Sequence, residues 1–418
     1  TTSMKINLGG RLTDKTEPNY NNGTYTDLSY LYDNIYSAVP FSGAGIVDGK
    51  WIGVNQQVFG SFGVMNDGLN TYYGKGYSTT GGNVINFDFS LEQKLDIVTK
   101  GLKAHIKGAY NSGVTDKRRR EGRADKYEAF VSESGETLVR KTQEAQTLGW
   151  TQTTGQDRDW YLEAALNYQR DFGLHHVSAL AMYNQNMKYY YSSSGVYAGI
   201  PRSYVGFVGR VTYDYNTRYL MDLSIGYNGS ENFAEGKRFG MFPAGSVGWI
   251  ISEEKFMQPL KPYVSYLKLR ASYGIVGNDK VSDGSRFLYL PDSYTISTGN
   301  YGFGATSNNI LVGSKESKVG NPDVTWETAA KQNYGVDLHF FDSRLKTSFD
   351  YFIEHRKDIL ISRQINPGYL AISLPIVNLG KVDNKGFEVT ARWEDKIEEF
   401  GYYIGTSWSY AKNKIIYK

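Results

Sequence analysis

The sequence predicts an all-β protein: an antiparallel transmembrane β-barrel wall with long loops at one end and short turns at the other. Three observations predict it. Segments of about ten residues alternate apolar and polar side chains with period two, the length a tilted strand needs to cross a bilayer. The connections between those segments alternate short and long along the chain. The composition suits pleated sheet and turn: 35 Tyr outnumber 20 Phe, and 46 Gly stand against 10 Pro in 418 residues. Tyr, Thr, Phe and Val fit a pleated surface, Gly and Asn fit its turns, and Tyr and Trp concentrate where a protein passes from lipid to water.

The strands are read from their faces. Tyr219, Met221, Leu223, Ile225 and Tyr227 lie opposite Asp222, Ser224, Gly226 and Asn228. Leu345, Thr347, Phe349, Tyr351 and Ile353 oppose Lys346, Ser348, Asp350 and Glu354. Ile85, Phe87, Phe89 and Leu91 oppose Asn86, Asp88, Ser90 and Glu92. Phe387, Val389, Ala391 and Trp393 oppose Glu388, Thr390, Arg392 and Glu394. Residues 1–12 also read as a strand, and the pattern recurs near 102–110, 159–171, 175–188, 204–215, 264–275, 333–341 and 402–411. Full charges recur on the polar faces, which are assigned to a lumen, and the apolar faces to lipid. A soluble sandwich alternates in the same way, but its strands are usually only about five or six residues long.

Short turns fall near Lys94–Gly101, Gly173–His175, Asn216–Arg218, Asp342–Arg344 and Glu398–Gly401. Long loops fall at 13–82, 113–158, 276–326 and 363–380, with shorter ones at 189–203 and 229–238. In outer-membrane barrels the short side is periplasmic. The connection 253–263 is expected to hold a short helical turn, because Ser252-Glu253-Glu254 reads as a helix start. The count is roughly thirteen strands, whereas bacterial single-chain barrels have even numbers. Residues 1–418 are therefore expected to be one incomplete barrel domain, unless a further hairpin hides in 13–82.

Zero Cys removes disulfides, thiolate metal sites and cysteine nucleophiles. A net charge of +3 calls for no nucleic acid. No run of about 18 apolar residues is present, so no transmembrane helix is expected. The five His residues show no HExxH spacing, and neither a GxSxG elbow nor a GxxxxGK[ST] loop occurs. His175-His176 borders a turn, where adjacent side chains point oppositely, and reads as a polar turn. Glu163, Asp222 and Asp350 could pair for acid–base work but read better as a solvated lumen. No catalytic residue, metal or cofactor is assigned.

Two groups are candidates for binding. The loop 13–82 carries many rings, and Trp51, Tyr72, Tyr73 and Tyr77 are its candidate substrate contacts. Flat rings with a polar edge suit sugar faces and peptide side chains, and equally suit packing a loop over the barrel mouth. Lys117, Arg118, Arg119 and Arg120 form the strongest charge run, placed in an extracellular loop. They could grip lipopolysaccharide phosphates or an anionic substrate, against the plainer reading of a solvated loop face.

The stretch from Gly209 to Glu394 carries a resemblance. Gly209-Arg210-Val211-Thr212-Tyr213-Asp214-Tyr215 with Arg218-Tyr219-Leu220 reads GRxxYxYxxRYL. Asn228-Gly229-Ser230 with Phe233 resembles DGSxRF, Asn replacing Asp. Arg238-Phe239-Gly240-Met241-Phe242-Pro243 resembles RWGxFP, and Gly248-Trp249-Ile250-Ile251-Ser252-Glu253-Glu254 resembles GWxISEE. Leu267-Lys268-Leu269-Arg270-Ala271-Ser272-Tyr273-Gly274 leads to Gly277-Asn278, and Asn321-Pro322-Asp323-Val324-Thr325-Trp326-Glu327 resembles NPxLxWE. Asp350-Tyr351-Phe352 with Asp358-Ile359-Leu360, then Asn378-Leu379-Gly380 and Asn384-Lys385-Gly386-Phe387-Glu388, complete the series. In order and spacing this resembles the SusC/RagA family of TonB-dependent outer-membrane transporters. Trp249 and Trp326 are expected near strand ends, spanning lipid and headgroup.

The resemblance implies a roughly 22-stranded barrel filled by an N-terminal plug. It also implies energy from TonB and a SusD-like lipoprotein lid. The plug and the TonB box have no counterpart here and are expected to precede Thr1. The implied function is import of large nutrients, glycans or oligopeptides, from an outer membrane bearing lipopolysaccharide. Other readings are a receptor for a metal chelate or vitamin, a structural or docking barrel subunit, and a passive porin.

Overall fold

A single antiparallel sheet of thirteen strands dominates this computed structural model. It describes residues 1–19, 32, 36, 45–53, 73–190, 197, 199–281, 286–291, 294–296, 301–303, 309–316, 319–362 and 374–417. The sheet starts with Thr2–Pro18, Gly76–Lys94, Leu102–Arg123, Gln146–Phe172, His175–Tyr190, Arg202–Tyr215 and Tyr219–Ser230. It continues with Phe239–Ile250, Val264–Asn278, Glu327–Phe340, Leu345–Ser362, Ile376–Ile397 and Phe400–Tyr417. Each of these strands pairs with the one before and the one after it in this order. Antiparallel neighbours need only a hairpin between them, so such a meander is the least demanding way to build a wall.

Register keeps the predicted faces together. Met221, Leu223 and Ile225 pair with Val247, Gly245 and Pro243, while Asp222 and Ser224 pair with Ser246 and Ala244. The first set is exposed on the outside, with Leu223 at 50 %. Lipid takes the place of a core here, because an apolar side chain facing hydrocarbon is already out of water.

The strand Gln146–Phe172 shows where the bilayer lies. Its outward residues between Arg158 and Arg170 are Trp160, Leu162, Ala164, Leu166 and Tyr168. Arg170 lies 4.8 Å over the ring of Phe172, and Arg158 lies 4.5 Å over the ring of Tyr189. Twelve residue steps at about 3.3 Å, tilted about 40°, give a height of roughly 30 Å between the two cations. That is the thickness of a hydrocarbon core. On the periplasmic side the girdle continues from His175 to Tyr215 at 4.9 Å, then to Tyr219 and Trp249 in stacked pairs at 6.3 and 6.4 Å.

The periplasmic connections are short. The expected helical turn appears as two 3-10 segments, Ile251–Glu253 and Lys255–Leu260. The loops on the other side need correction at their boundaries. The long connection placed at 113–158 is only 124–145, because paired strands run to Arg123 and restart at Gln146. Likewise Thr13–Pro18 and 76–82 are paired strand rather than loop. The physical reason is common to both. Beyond the bilayer both faces meet water, so Asp116, Arg118, Gln152 and Thr154 stand where apolar residues stood below. The period-two signal vanishes while the backbone ladder continues.

The strands Thr2–Pro18 and Phe400–Tyr417 occupy the two ends of the sheet order. Among the described residues they are not hydrogen-bonded to each other, as expected for a wall that does not close on itself.

Candidate functional site: the lumenal wall and its extracellular mouth

Residues that alternate away from lipid meet across neighbouring strands. Arg210 Nε donates to both carboxylate oxygens of Asp222 at 3.1 Å. Arg270 reaches Asp337 at 3.2 Å and Asp350 at 2.5 Å. Lys346 and Arg392 share Glu394 at 2.8 and 2.5 Å. Arg356 bridges Glu354 at 2.9 Å and Glu327 at 3.5 Å. Glu163 meets His105 at 3.3 Å. A concavity of about 710 Å³ runs over this face, lined by Arg210, Asp222, Ser246, Ser272, Asn333 and Glu354 among others. The charges are largely paired, so this surface is hydrated and carries no single strong sign. It offers hydrogen-bonding groups along a path, which suits passage of a polar solute or contact with another polar surface.

At the extracellular end the wall carries a small core. Phe233, Leu288, Val324, Trp326, Leu360 and Ile376 pack together, with Phe233 fully buried. The Trp326 ring lies 5.4 Å from Phe233 and 5.1 Å from Phe242, and its Nε1 donates to the Arg238 carbonyl at 3.2 Å. Trp326 is therefore not an interfacial residue: it is 8 % exposed and turned inward. The register decides this, since one residue of shift exchanges lipid for lumen. Trp249 does lie on the outer face, with its Nε1 donating to Glu254 at 3.2 Å.

Polar side chains tie the loops into this core. Asn378 donates to the carbonyls of Thr325 and Asp358 at 2.8 and 2.7 Å and accepts from the Thr325 amide at 2.9 Å. Asn321 donates to the Ile376 carbonyl at 2.9 Å. Ser230 donates to Asp279 at 2.6 Å. Arg286 pairs with Glu231 at 2.7 Å and donates to the carbonyls of Ile200 and Pro201. Buried polar groups with partners in hand fix one arrangement of the loops. Several of these residues belong to the motif series, which thus marks a folded mouth.

The predicted ring candidates separate. Trp51 is 3 % exposed. Tyr73 meets its ring edge-on at 5.8 Å, and Lys126 lies 5.1 Å over it. Trp51 belongs to a four-stranded sheet of loop segments, Gly45–Val47, Lys50–Ile52, Lys126–Val131 and Thr137–Gln143. This sheet joins the first two extracellular connections. Asp125 fastens it by accepting from Lys141 at 2.8 Å and from the Ala145 amide at 2.6 Å. Those bonds hold the Asp125 carboxyl below the usual carboxylate range, the Lys141 ammonium contributing most. Tyr77 lies in the strand Gly76–Lys94 and is exposed. Tyr72 lies outside the described residues.

Lys117, Arg118, Arg119 and Arg120 are not in a loop but in the strand Leu102–Arg123. The alternation splits them, Arg118 and Arg120 sharing a face with Ile106 and Tyr110, and Lys117 and Arg119 lying on the other. Arg118 is neutralised by Asp116 at 2.7 Å. Arg120 lies 4.6 Å over the ring of Trp150. Arg158, unmarked in the sequence by any run of charge, belongs to the same face.

Comparison with known proteins places this architecture. The family described as TonB dependent receptor-like, beta-barrel matches residues 7–417. TonB-dependent receptor P39 of Formosa agariphila is 37 % identical over 209 residues, covering 50 % of this chain and 19 % of that receptor. TonB-dependent receptor SusC of Bacteroides thetaiotaomicron is 31 % identical over 186 residues, covering 44 % of this chain and 18 % of SusC. The RagAB peptide importer in its closed-closed state has a TM-score of 0.60 and 16 % identity, covering 82 % of this chain and 37 % of that one. That last likeness is one of fold. The sequence matches take in about a fifth of each curated relative's length.

Proposed function

The chain belongs to the TonB-dependent receptor-like β-barrel family of the outer membrane, and on that premise we propose that it walls an energised importer of large nutrients, glycans or oligopeptides. The importer works with TonB and with a SusD-like surface lipoprotein. The observation that carries this reading is the pre-folded mouth around Phe233 and Trp326. Phe233, Val324, Trp326 and Leu360 of that cluster belong to the motif series that resembles SusC-type transporters. A rigid extracellular rim offers a lipoprotein lid a fixed seat and a large solute a wide polar entrance, whereas a passive pore needs neither. The rings around Trp51 then hold the first two loops together, while Tyr77, paired with Arg120, faces outward and away from the solute path. No step of bond chemistry is assigned, and the family is one of transporters rather than enzymes.

Uptake by cells carrying the intact receptor tests the proposal. Labelled oligosaccharides and oligopeptides above the porin size range should enter wild-type cells, fail to enter a deletion strain, and fail after a protonophore. Entry that persists under the protonophore would leave a passive pore as the better reading.

A further inference from the structure

The hairpin Leu102–Arg123 and Gln146–Phe172 stands well beyond the hydrocarbon, at 22 and 27 residues against the about ten that suffice to cross it. Its outward face carries two arginines set over aromatic rings, Arg158 over Tyr189 at 4.5 Å and Arg120 over Trp150 at 4.6 Å. Neither forms an ion pair with a carboxylate among the described residues. Arg118 between them is different, because Asp116 already occupies it. Trp150 is 51 % exposed, and Arg158 is exposed as well.

The two cations sit at different heights. Arg158, two residues before Trp160 and next to it on the same face, stands at the upper rim of the apolar band, the level of lipid headgroup phosphates. Trp150 lies eight residues further along the same face, roughly 26 Å at about 3.3 Å per residue. Beneath Arg158 the lipid face opens into an apolar groove of about 610 Å³ that includes Ala164, Ala181, Gly209, Tyr183 and Phe207.

We propose that this outward face binds a phosphorylated glycolipid of the outer leaflet, with phosphate on Arg158, sugar on Arg120 and Trp150, and an acyl chain in the groove. Guanidinium matches phosphate oxygens with two parallel hydrogen bonds and sheds water more readily than ammonium. Indole offers an apolar plane to sugar C–H groups with its N–H free for a hydroxyl. The direction of the face selects the ligand. Cargo for import passes the lumen, whereas this surface looks into the membrane and the sugar layer above it. The apolar groove lies lower on the same face, toward the bilayer interior, and this favours a lipid over a free anion.

The test uses the intact receptor in phosphatidylcholine nanodiscs containing a minor fraction of diphosphoryl lipid A, or the same lipid dephosphorylated. Lipid retained per receptor is counted by native mass spectrometry. Wild type should retain the phosphorylated form preferentially. Arg158→Gln should lower that retention about three- to tenfold, the range for an exposed charge-assisted hydrogen bond. Arg158→Lys should recover part of it, and Arg118→Gln should leave it unchanged. Equal retention of both lipids by wild type, or full retention by Arg158→Gln, would overturn the proposal. Displacement by inorganic phosphate as effectively as by lipid would also overturn it, in favour of a free-anion site. Heat-resistant migration in detergent gels controls for folding; should Arg158→Gln lose it, Arg158→Lys carries the comparison, and retention equal to wild type on both lipids would overturn the proposal. Solute uptake should be unaffected by Arg158→Gln, which separates this inference from the importer reading.

Discussion

Removing the Trp326 ring would leave Phe233 and Phe242 facing a void and the Arg238 carbonyl without its indole donor. Losses of a buried aromatic of this kind run to about 3–5 kcal/mol. Trp326→Ala should therefore loosen the mouth without unfolding the wall. Hydrogen exchange should quicken in 231–238 and 321–326 while the strands below stay protected; unchanged exchange there would mean the cluster is not what holds the loops. Glu254 makes a second case at the other end of the barrel. The Tyr219 hydroxyl, then the Trp249 indole and the Arg218 guanidinium, hold its carboxyl below the ordinary range. A depressed carboxylate favours the folded turn at pH above its unfolded value of about 4.3 and loses that contribution as pH falls through the lowered value. The environment of Trp249 should thus stay constant from neutral pH through the ordinary carboxylate range and change only below it. Its fluorescence should show this, and Glu254→Gln should abolish that acid transition; a transition that survives the substitution would assign it to another group.

Among elements, the decisive property is the register of paired strands. Leu223 and Ser246 lie on adjacent strands, one facing lipid and the other the lumen. Leu223→Arg should cost about 2–4 kcal/mol near the bilayer midplane. Ser246→Arg, beside Asp222 in the hydrated interior, should cost little. Urea unfolding in lipid vesicles measures both, and equal costs would mean the assigned faces are wrong. The mouth depends on register too. A side chain on Gly277 would meet the ring of Phe242, which packs against Trp326. Gly277→Ala should shift Phe242 and show the same local exchange as Trp326→Ala, only weaker.

For the molecule as a whole, the open edges matter most. Among the described residues, Thr2–Pro18 and Phe400–Tyr417 each present an unpaired row of amides and carbonyls. In hydrocarbon every such group costs several kcal/mol, so only a closed ring of strands is stable there. Each edge is therefore expected to be covered in the membrane. Residues 1–418 produced alone should associate or aggregate rather than insert as a heat-resistant monomer, as detergent-gel migration would reveal. A stable inserted monomer of that segment would require the two edges to pair with each other.

What the sequence determined by itself was the part governed by local periodicity: the crossing strands, their two faces, the short periplasmic turns and the thirteen-strand count. Alternation across a bilayer is a strong signal because lipid on one side and water on the other reward opposite side chains. Beyond the bilayer that contrast disappears, which is why the strand extensions to Arg123 and from Gln146 were hidden inside an expected loop. The motif series pointed to the family but not to the direction of its side chains, and Trp326 was accordingly expected at the lipid boundary. Tertiary structure alone decided that Trp326 turns inward onto Phe233, that Trp51 fastens two loops, and that Arg158 and Arg120 share an outward face. Each of these depends on contacts between segments far apart in the chain, whose distances and register no local pattern encodes.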